Sequence, residues 1–241
     1  MRIKSKRKFF LFILLLVLTL AAAYLFLPSF HYSKTVILGE TSLNTDQLLE
    51  MANTEMKKNI FLIDIRRAEE NISKSPFVKE IRVARRFPTT LVFSVLDRLE
   101  IGAVSFDGGF AVIDDEGVVM KIVQNQPEVK KPIIVGMQTR MIKLGERIPV
   151  EDEQQFSLVM GLISGAQNAK LMDIISDVQM SDMEDVRMTT INGITVLLGH
   201  GRDLSYKMLA LHEILLDLHS KNIHHGIIDM RYDSYPVYRE G

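Results

Sequence analysis

Residues 75–98 read "SPFVKEIRVARRFPTTLVFSVLDR", and the fold turns on them. Ile81 and Val83 alternate with Arg82, and Leu91, Phe93 and Val95 alternate in the same way after Arg86-Phe87-Pro88. A two-residue apolar period marks a strand with one buried face. Two such runs around a proline predict a hairpin, with Pro88 in the turn, where its missing N–H does no harm. Ser75-Pro76 ends the element before it, because the residue preceding a proline is pushed out of the helical region.

Upstream, "KTVILG" at 34–39 predicts a short strand closed by Gly39. Asn44 suits a helix N-cap, with Gln47 at the third position to complete a capping box and Leu43 able to staple onto Leu48. That helix is expected to reach about Met56, burying Leu48, Ala52 and Met56. Asp64 can cap a second helix, with Ile65, Ala68 and Ile72 at helical spacing. The order is therefore strand-helix-helix-strand-strand. Two helices on one face of three strands bury just enough for a small independent unit of about 65 residues.

Downstream the pattern changes. Asp107-Gly108-Gly109 joins "IGAVSF" to "FAVID" as a short hairpin, and Asp115-Glu116-Gly117 turns into "VVMKIV". "KPIIVG", "IISDVQMS" and "DVRMTT" follow as strands, with an amphipathic helix from 151 to about 168. "TINGITVLLGH" turns at Asn192-Gly193, a helix runs from Asp203 to about Ser220, and "GIIDMRY" closes the sheet. These elements predict a mainly antiparallel β domain with two helices. The whole chain is thus α+β.

The N-terminus is of another kind. Arg2, Lys4, Lys6, Arg7 and Lys8 precede an uncharged run from Phe9 to Leu27, ended by Pro28. Nineteen residues at about 1.5 Å each give roughly 28 Å, close to the thickness of a bilayer's hydrocarbon layer. Five cations before the span place that end in the cytoplasm and the rest outside. The expected layout is a cytoplasmic tail 1–8, a transmembrane helix 9–27, a small domain 28–99 and a β domain 100–241. A cleaved secretory signal cut after Ala21-Ala22-Ala23 is the competing reading, and would leave "YLFLPSF" at the new terminus.

Composition narrows the function classes. The 241 residues are 47% hydrophobic and 24% charged, a globular balance, and contain no cysteine, which excludes disulfides, thiolate metal sites and a cysteine nucleophile. Residues 28–99 carry 11 basic and 9 acidic residues, whereas 100–241 carry 13 basic and 21 acidic. An acidic second domain argues against nucleic acid as a partner.

No catalytic pattern emerges. His212 and His219 in "HEILLDLH" lie seven apart, about 10 Å along a helix, whereas a zinc helix needs them four apart. His212 and His219 therefore read as surface groups, and His224-His225 beside Gly226 as a solvated turn pair. Gly199-His200-Gly201 lacks the third glycine of a nucleotide loop. Asp114-Asp115-Glu116 beside Gly117, and Asp182, Glu184 and Asp185, read as turns, with a cation site as the alternative. No cofactor or metal is expected. Arg82, Arg85 and Arg86 predict a basic outer face on the hairpin, either solvated or a contact surface for an acidic partner.

Taken together these stretches resemble the FtsQ/DivIB family of bacterial cell-division proteins. The resemblance rests on the basic N-terminus with one span, then "TVILGETSLNTDQLL", "KNIFLIDIRRAEENISKSPFVKEIRVARRFPTTLVFSVLDR", "FAVIDDEGVVMKI", "GITVLLGH" and "GIIDMRYDSYPVY". "SPFVKEIRVARRFPTTL" resembles the family's POTRA domain and "DMRYDS" its closing motif. The family's Glu-Arg-x-Pro-type segment is here Asp97-Arg98-Leu99-Glu100, without the proline.

The resemblance implies a non-enzymatic scaffold in the cell membrane at the division septum. It would gather FtsB (DivIC) and FtsL there to regulate septal wall synthesis. It also implies a site for FtsB at Tyr232, Asp233, Ser234, Tyr235, Pro236, Val237 and Tyr238. Physically, a strand at a sheet edge can accept a partner strand, and three of the six tyrosines fall within these seven residues. The alternative is that these tyrosines pack on helix 203–220. Two other classes stay open: an envelope enzyme using carboxylates of residues 100–241, and a POTRA-containing component of outer-membrane translocation.

Overall fold

The computed structural model describes residues 2–25, 27–54, 58–125, 131–232 and 235–240, with the backbone alone for 2–8, 21, 22 and 25. The chain divides into two compact units, Met1–Asp97 and Arg98–Gly241.

The first unit begins with helix α1 (Arg2–Leu25), whose apolar side chains from Phe9 to Leu18 stand exposed. Among the described residues no helix is long and apolar enough to cross a membrane. Strand β1 (Lys34–Leu38), helices α2 (Thr45–Met51) and α3 (Ile65–Ile72), and strands β2 (Val78–Arg86) and β3 (Thr90–Asp97) follow. The sheet order is β1-β3-β2, with β1 parallel and β2 antiparallel to the central β3.

Local chemistry sets these elements. The Asn44 carboxamide accepts the Gln47 N–H and the Gln47 side chain accepts the Asn44 N–H, both at 2.9 Å, while Asp64 accepts the Arg67 N–H at 3.1 Å. Helix α2 stops at Met51, short of the expected Met56, which lies outside the described residues. The reason is Asn53, which takes a left-handed φ of 49°. Its N–H and that of Thr54 then bond back to the Glu50 and Leu49 carbonyls at 3.0 and 3.1 Å. This is the Schellman closure of a helix, and asparagine tolerates it. Leu48, Ile60, Ile72, Leu91 and Phe93 are all fully buried between the helices and the sheet.

Among the described residues the second unit has one sheet of nine strands in the order β12-β11-β10-β9-β8-β7-β4-β5-β6. In chain order these are β4 (Gly102–Phe106), β5 (Gly109–Ile113), β6 (Val119–Val123), β7 (Ile133–Val135), β8 (Ile175–Gln179), β9 (Val186–Thr190), β10 (Ile194–Gly199), β11 (Gly226–Asp229) and β12 (Val237–Arg239). Helices α4 (Glu153–Asn168) and α5 (Leu204–Ser220) pack together over its core. Gly165 lets them meet, since a Cβ there would lie 3.2 Å from Met208.

Five of the eight described pairings are antiparallel and three parallel, so the sheet is mixed. Turn residues predicted three of the antiparallel pairs, β4–β5, β5–β6 and β9–β10. The parallel pairs β7–β8 and β10–β11 arise because α4 and α5 carry the chain back across the sheet, as parallel neighbours require.

The sheet also extends further than expected. "GIIDMRY" does not close it, because β12 adds a strand antiparallel to β11, directly after Pro236. Proline at the start of an edge strand gives up an N–H that no ladder needs.

Candidate functional site: the C-terminal sheet margin

Strand β12 has one neighbour. Asp229 lies opposite Val237, Ile228 opposite Tyr238 and Ile227 opposite Arg239. Among the described residues no strand pairs with the backbone groups on its other side, which makes this margin a template for an added strand.

Side chains alternate across it. Tyr238 stands opposite the fully buried Ile228 and packs against the core, and its hydroxyl donates to the His225 carbonyl at 2.9 Å. Gly226, at φ 132°, leaves room for that ring; a Cβ there would come within 2.6 Å of it. Val237, on the opposite face, is exposed.

Tyr232 and Tyr235 are 68% and 93% exposed. They line an open groove of about 730 Å³ together with Pro236, Met230 and, from the first turns of α5, Tyr206 and Ala210. Of the predicted contact residues the structure thus gathers Tyr232, Tyr235, Val237 and Tyr238 at one margin. Asp233 and Ser234 lie outside the described residues.

A charged row backs this margin. Asp229 is 5% exposed and receives the Arg231 guanidinium at 2.7 and 3.0 Å, with Arg239 at 3.6 Å. Bonding from Arg231, reinforced by Arg239, holds the Asp229 carboxyl below the usual carboxylate range despite its burial. Arg231 also lies 5.6 Å from the Tyr232 ring centroid, so the same cation steadies the aromatic face of the groove. On β9, Arg187 pairs with Asp185. Neither Tyr206 nor this row was singled out from the sequence. The i, i+2 spacing of Asp229 and Arg231, and of Asp185 and Arg187, was the available signal, because it puts both charges on one face of an extended chain.

The other predicted residues fall elsewhere. Arg82 and Arg86 share the exposed face of β2, but Arg85 does not, which corrects the expectation of a three-arginine surface. It stands on the helix-covered face opposite Leu91, donating from Nε to the Ile60 carbonyl at 2.8 Å and from a guanidinium NH₂ to that of Ile63. Adjacent arginines cannot share a strand face, since side chains alternate.

Asp114 is fully buried. It pairs with Arg98 and accepts the Glu116 and Val118 N–H groups at 3.0 and 2.7 Å, so it holds a turn. Asp182 does the same for Glu184 at 2.8 Å. His212, His219 and His224 border a cavity of about 280 Å³ beside Ile191 and Leu216. Among the described residues no group of three His, Asp or Glu is placed to hold a metal ion.

Two family models match the chain in order. The POTRA domain of FtsQ type matches residues 30–98, and the C-terminal domain of cell division protein FtsQ/DivIB matches 103–231, ending one residue before Tyr232. Cell division protein DivIB of Clostridium botulinum is 23% identical over 244 residues, covering 98% of this chain and 94% of its own. DivIB of Clostridium acetobutylicum is 23% identical over 214 residues, covering 88% and 84%. Cell division protein FtsQ of Syntrophotalea carbinolica is 24% identical over 203 residues, covering 83% and 69%.

Proposed function

The chain belongs to the FtsQ/DivIB family of cell division proteins, and from that premise we propose that it is a non-enzymatic scaffold tethered in the membrane at the division septum. The uncharged run 9–27 is the tether: its nineteen residues would rise about 28 Å if helical throughout, the thickness of the hydrocarbon layer, with five cations on its cytoplasmic side. The exposed apolar side chains of α1 from Phe9 to Leu18 support this, since a water-facing helix would bear polar groups there.

The scaffold grips FtsB/DivIC-like and FtsL-like partners at the β12 margin. A partner segment adds a strand to β12, while Tyr232 and Tyr235, with Asp233 and Ser234 between them, and Val237 make the side-chain contacts. Tyr238 acts from beneath by fixing the edge strand to β11. The observation that carries this reading is an edge strand with one neighbour beside two exposed tyrosines in an open groove. Arg82 and Arg86 form a second surface, suited to an acidic partner.

Replacing Tyr232 and Tyr235 by alanine in the full chain should weaken capture of the FtsB-like partner roughly tenfold or more, the scale of an aromatic hot spot. Its melting profile should not move, because both rings are exposed. Capture equal to wild type would remove the site. Depletion should yield filamentous or chained cells and a fluorescent fusion should gather at midcell. Uniform peripheral staining with normal septation would remove the scaffold role itself.

A further inference from the structure

One end of the small sheet differs in chemistry from the other. Three chain segments meet there: 27–34 leading out of α1, 58–63, and the hairpin tip 85–90. They are tied by hydrogen bonds from the Tyr32 N–H to the Lys58 carbonyl at 2.9 Å and from the Ser33 N–H to the Thr89 carbonyl at 3.0 Å. The segments carry four cations, Lys34, Lys58, Arg85 and Arg86, against one adjoining carboxylate, Asp64, which caps α3. At the opposite end of the same sheet lie Glu40, Glu80 and Asp97, with Lys79 among them.

An aromatic ladder climbs onto this end from α1. Tyr24 meets Phe30 with ring centroids 5.5 Å apart, Phe30 meets Phe61 at 5.4 Å, and Phe61 stacks on Phe87 at 5.0 Å. Phe87 and Leu62 are each 55% exposed. Arg85 explains how Leu62 and Phe61 are presented. Its two bonds to the Ile60 and Ile63 carbonyls lock the single helical turn Ile60–Leu62, which sinks Ile60 into the core and turns the next two side chains outward.

Exposed aromatic and aliphatic side chains interleaved with cations suit the boundary layer of an anionic bilayer, where rings sit among headgroups and lysine and arginine meet phosphates. We infer that this end of the POTRA-type domain, with Phe61, Leu62 and Phe87 as its apolar contacts and Lys58 and Arg86 as its cations, rests in the lipid headgroup layer of the leaflet from which α1 emerges. The inference rests on the anchor reading of residues 9–27. Continuity of the ring ladder with α1 itself favours lipid over a separate protein as the occupant. The domain would then stand on the membrane with a fixed side down, its acidic end pointing away.

The chain contains no tryptophan, so single substitutions give clean reporters. The full chain is inserted in vesicles of phosphatidylcholine and phosphatidylglycerol bearing a nitroxide near the headgroup end of the acyl chain. Phe87→Trp and Leu62→Trp report the proposed footing and Leu15→Trp the anchor. Leu96→Trp reports the far end of the sheet, six residues from Thr90 and therefore about 20 Å away. Phe87→Trp and Leu62→Trp should lose emission at least about twofold more strongly than Leu96→Trp, with Leu15→Trp quenched as well. If both footing reporters match Leu96→Trp while Leu15→Trp is quenched, the anchor stands and the inference is overturned. If Leu15→Trp too is unquenched, the anchor reading falls and takes the footing with it.

Discussion

The two sheets each expose a margin, and the margins are treated in opposite ways. In the small sheet, β2 is nine residues long, and an edge of that length invites pairing with another chain. Glu69 of α3 reaches over and accepts the Val83 N–H at 2.7 Å, a bulge interrupts the register between Val78 and Glu80, and Arg82 and Arg86 charge the outer face. In the large sheet, β12 has three residues, no acidic group among them, and exposed tyrosines beside it. One edge is closed by its own chain and the other is short and, among the described residues, paired on one side alone. Length alone therefore does not make an edge available; what matters is whether the chain supplies its own donors and acceptors there.

Three measurements press on this contrast. The largest effect belongs to Val83→Asp, which places a carboxylate on the helix-covered face at a site 7% exposed. Burying an unpaired charge should cost about 3 kcal/mol or more and melt the small unit while the nine-stranded unit persists. An unaltered melting profile would mean that β2 faces the other way.

Next comes Asp229→Asn at the opposite margin, which should cost about 2 kcal/mol at neutral pH by weakening a buried charge-assisted pair. Because the Asp229 carboxyl is held below its unfolded value, its contribution is complete above the ordinary aspartate pKa of about 3.9. It disappears as the pH falls through the lower folded value. Wild type and variant should therefore differ in urea midpoint at neutral pH and converge in acid. A gap independent of pH would show that packing, not charge, is what Asp229 supplies.

The smallest effect is expected of Glu69→Ala, about 1 kcal/mol for one hydrogen bond at a half-exposed edge. Its telling readout is self-association. If the edge of β2 is closed by Glu69, the variant should form more dimer at a given concentration, and an unchanged sedimentation profile would put the guarding elsewhere.

How far the sequence revealed this arrangement follows from the range of each interaction. Asn44 with Gln47, Asp64, Asp107-Gly108 and Asn192-Gly193 act over two or three residues, and each fixes the cap or turn expected of it. The early stop of α2 was also local, but an asparagine inside a continuing apolar period does not announce a left-handed conformation. Strand β12 escaped because three residues after a proline carry too little alternation to register as a strand. Arg85 was misplaced by reading three clustered arginines as one surface, where period two already separates it from Arg82 and Arg86. Its partners Ile60 and Ile63 are more than twenty residues away, and no local pattern points to them. The tyrosines at 232 and 235 were legible as a cluster, whereas Tyr206, brought beside them by the return of α5 across the sheet, was not.

The parallel pairing of β1 with β3 has a mechanical consequence. The chain reaches the small sheet at Lys34 and leaves it at Asp97, and in parallel neighbours those two points lie at opposite ends of the pair. Tension applied between the segment before β1 and the chain after β3 would drag β1 lengthwise along β3. Its five matched residues would then resist together, rather than tearing open one after another as in a zipper. A tether built this way would hold under pull until the whole ladder gives at once.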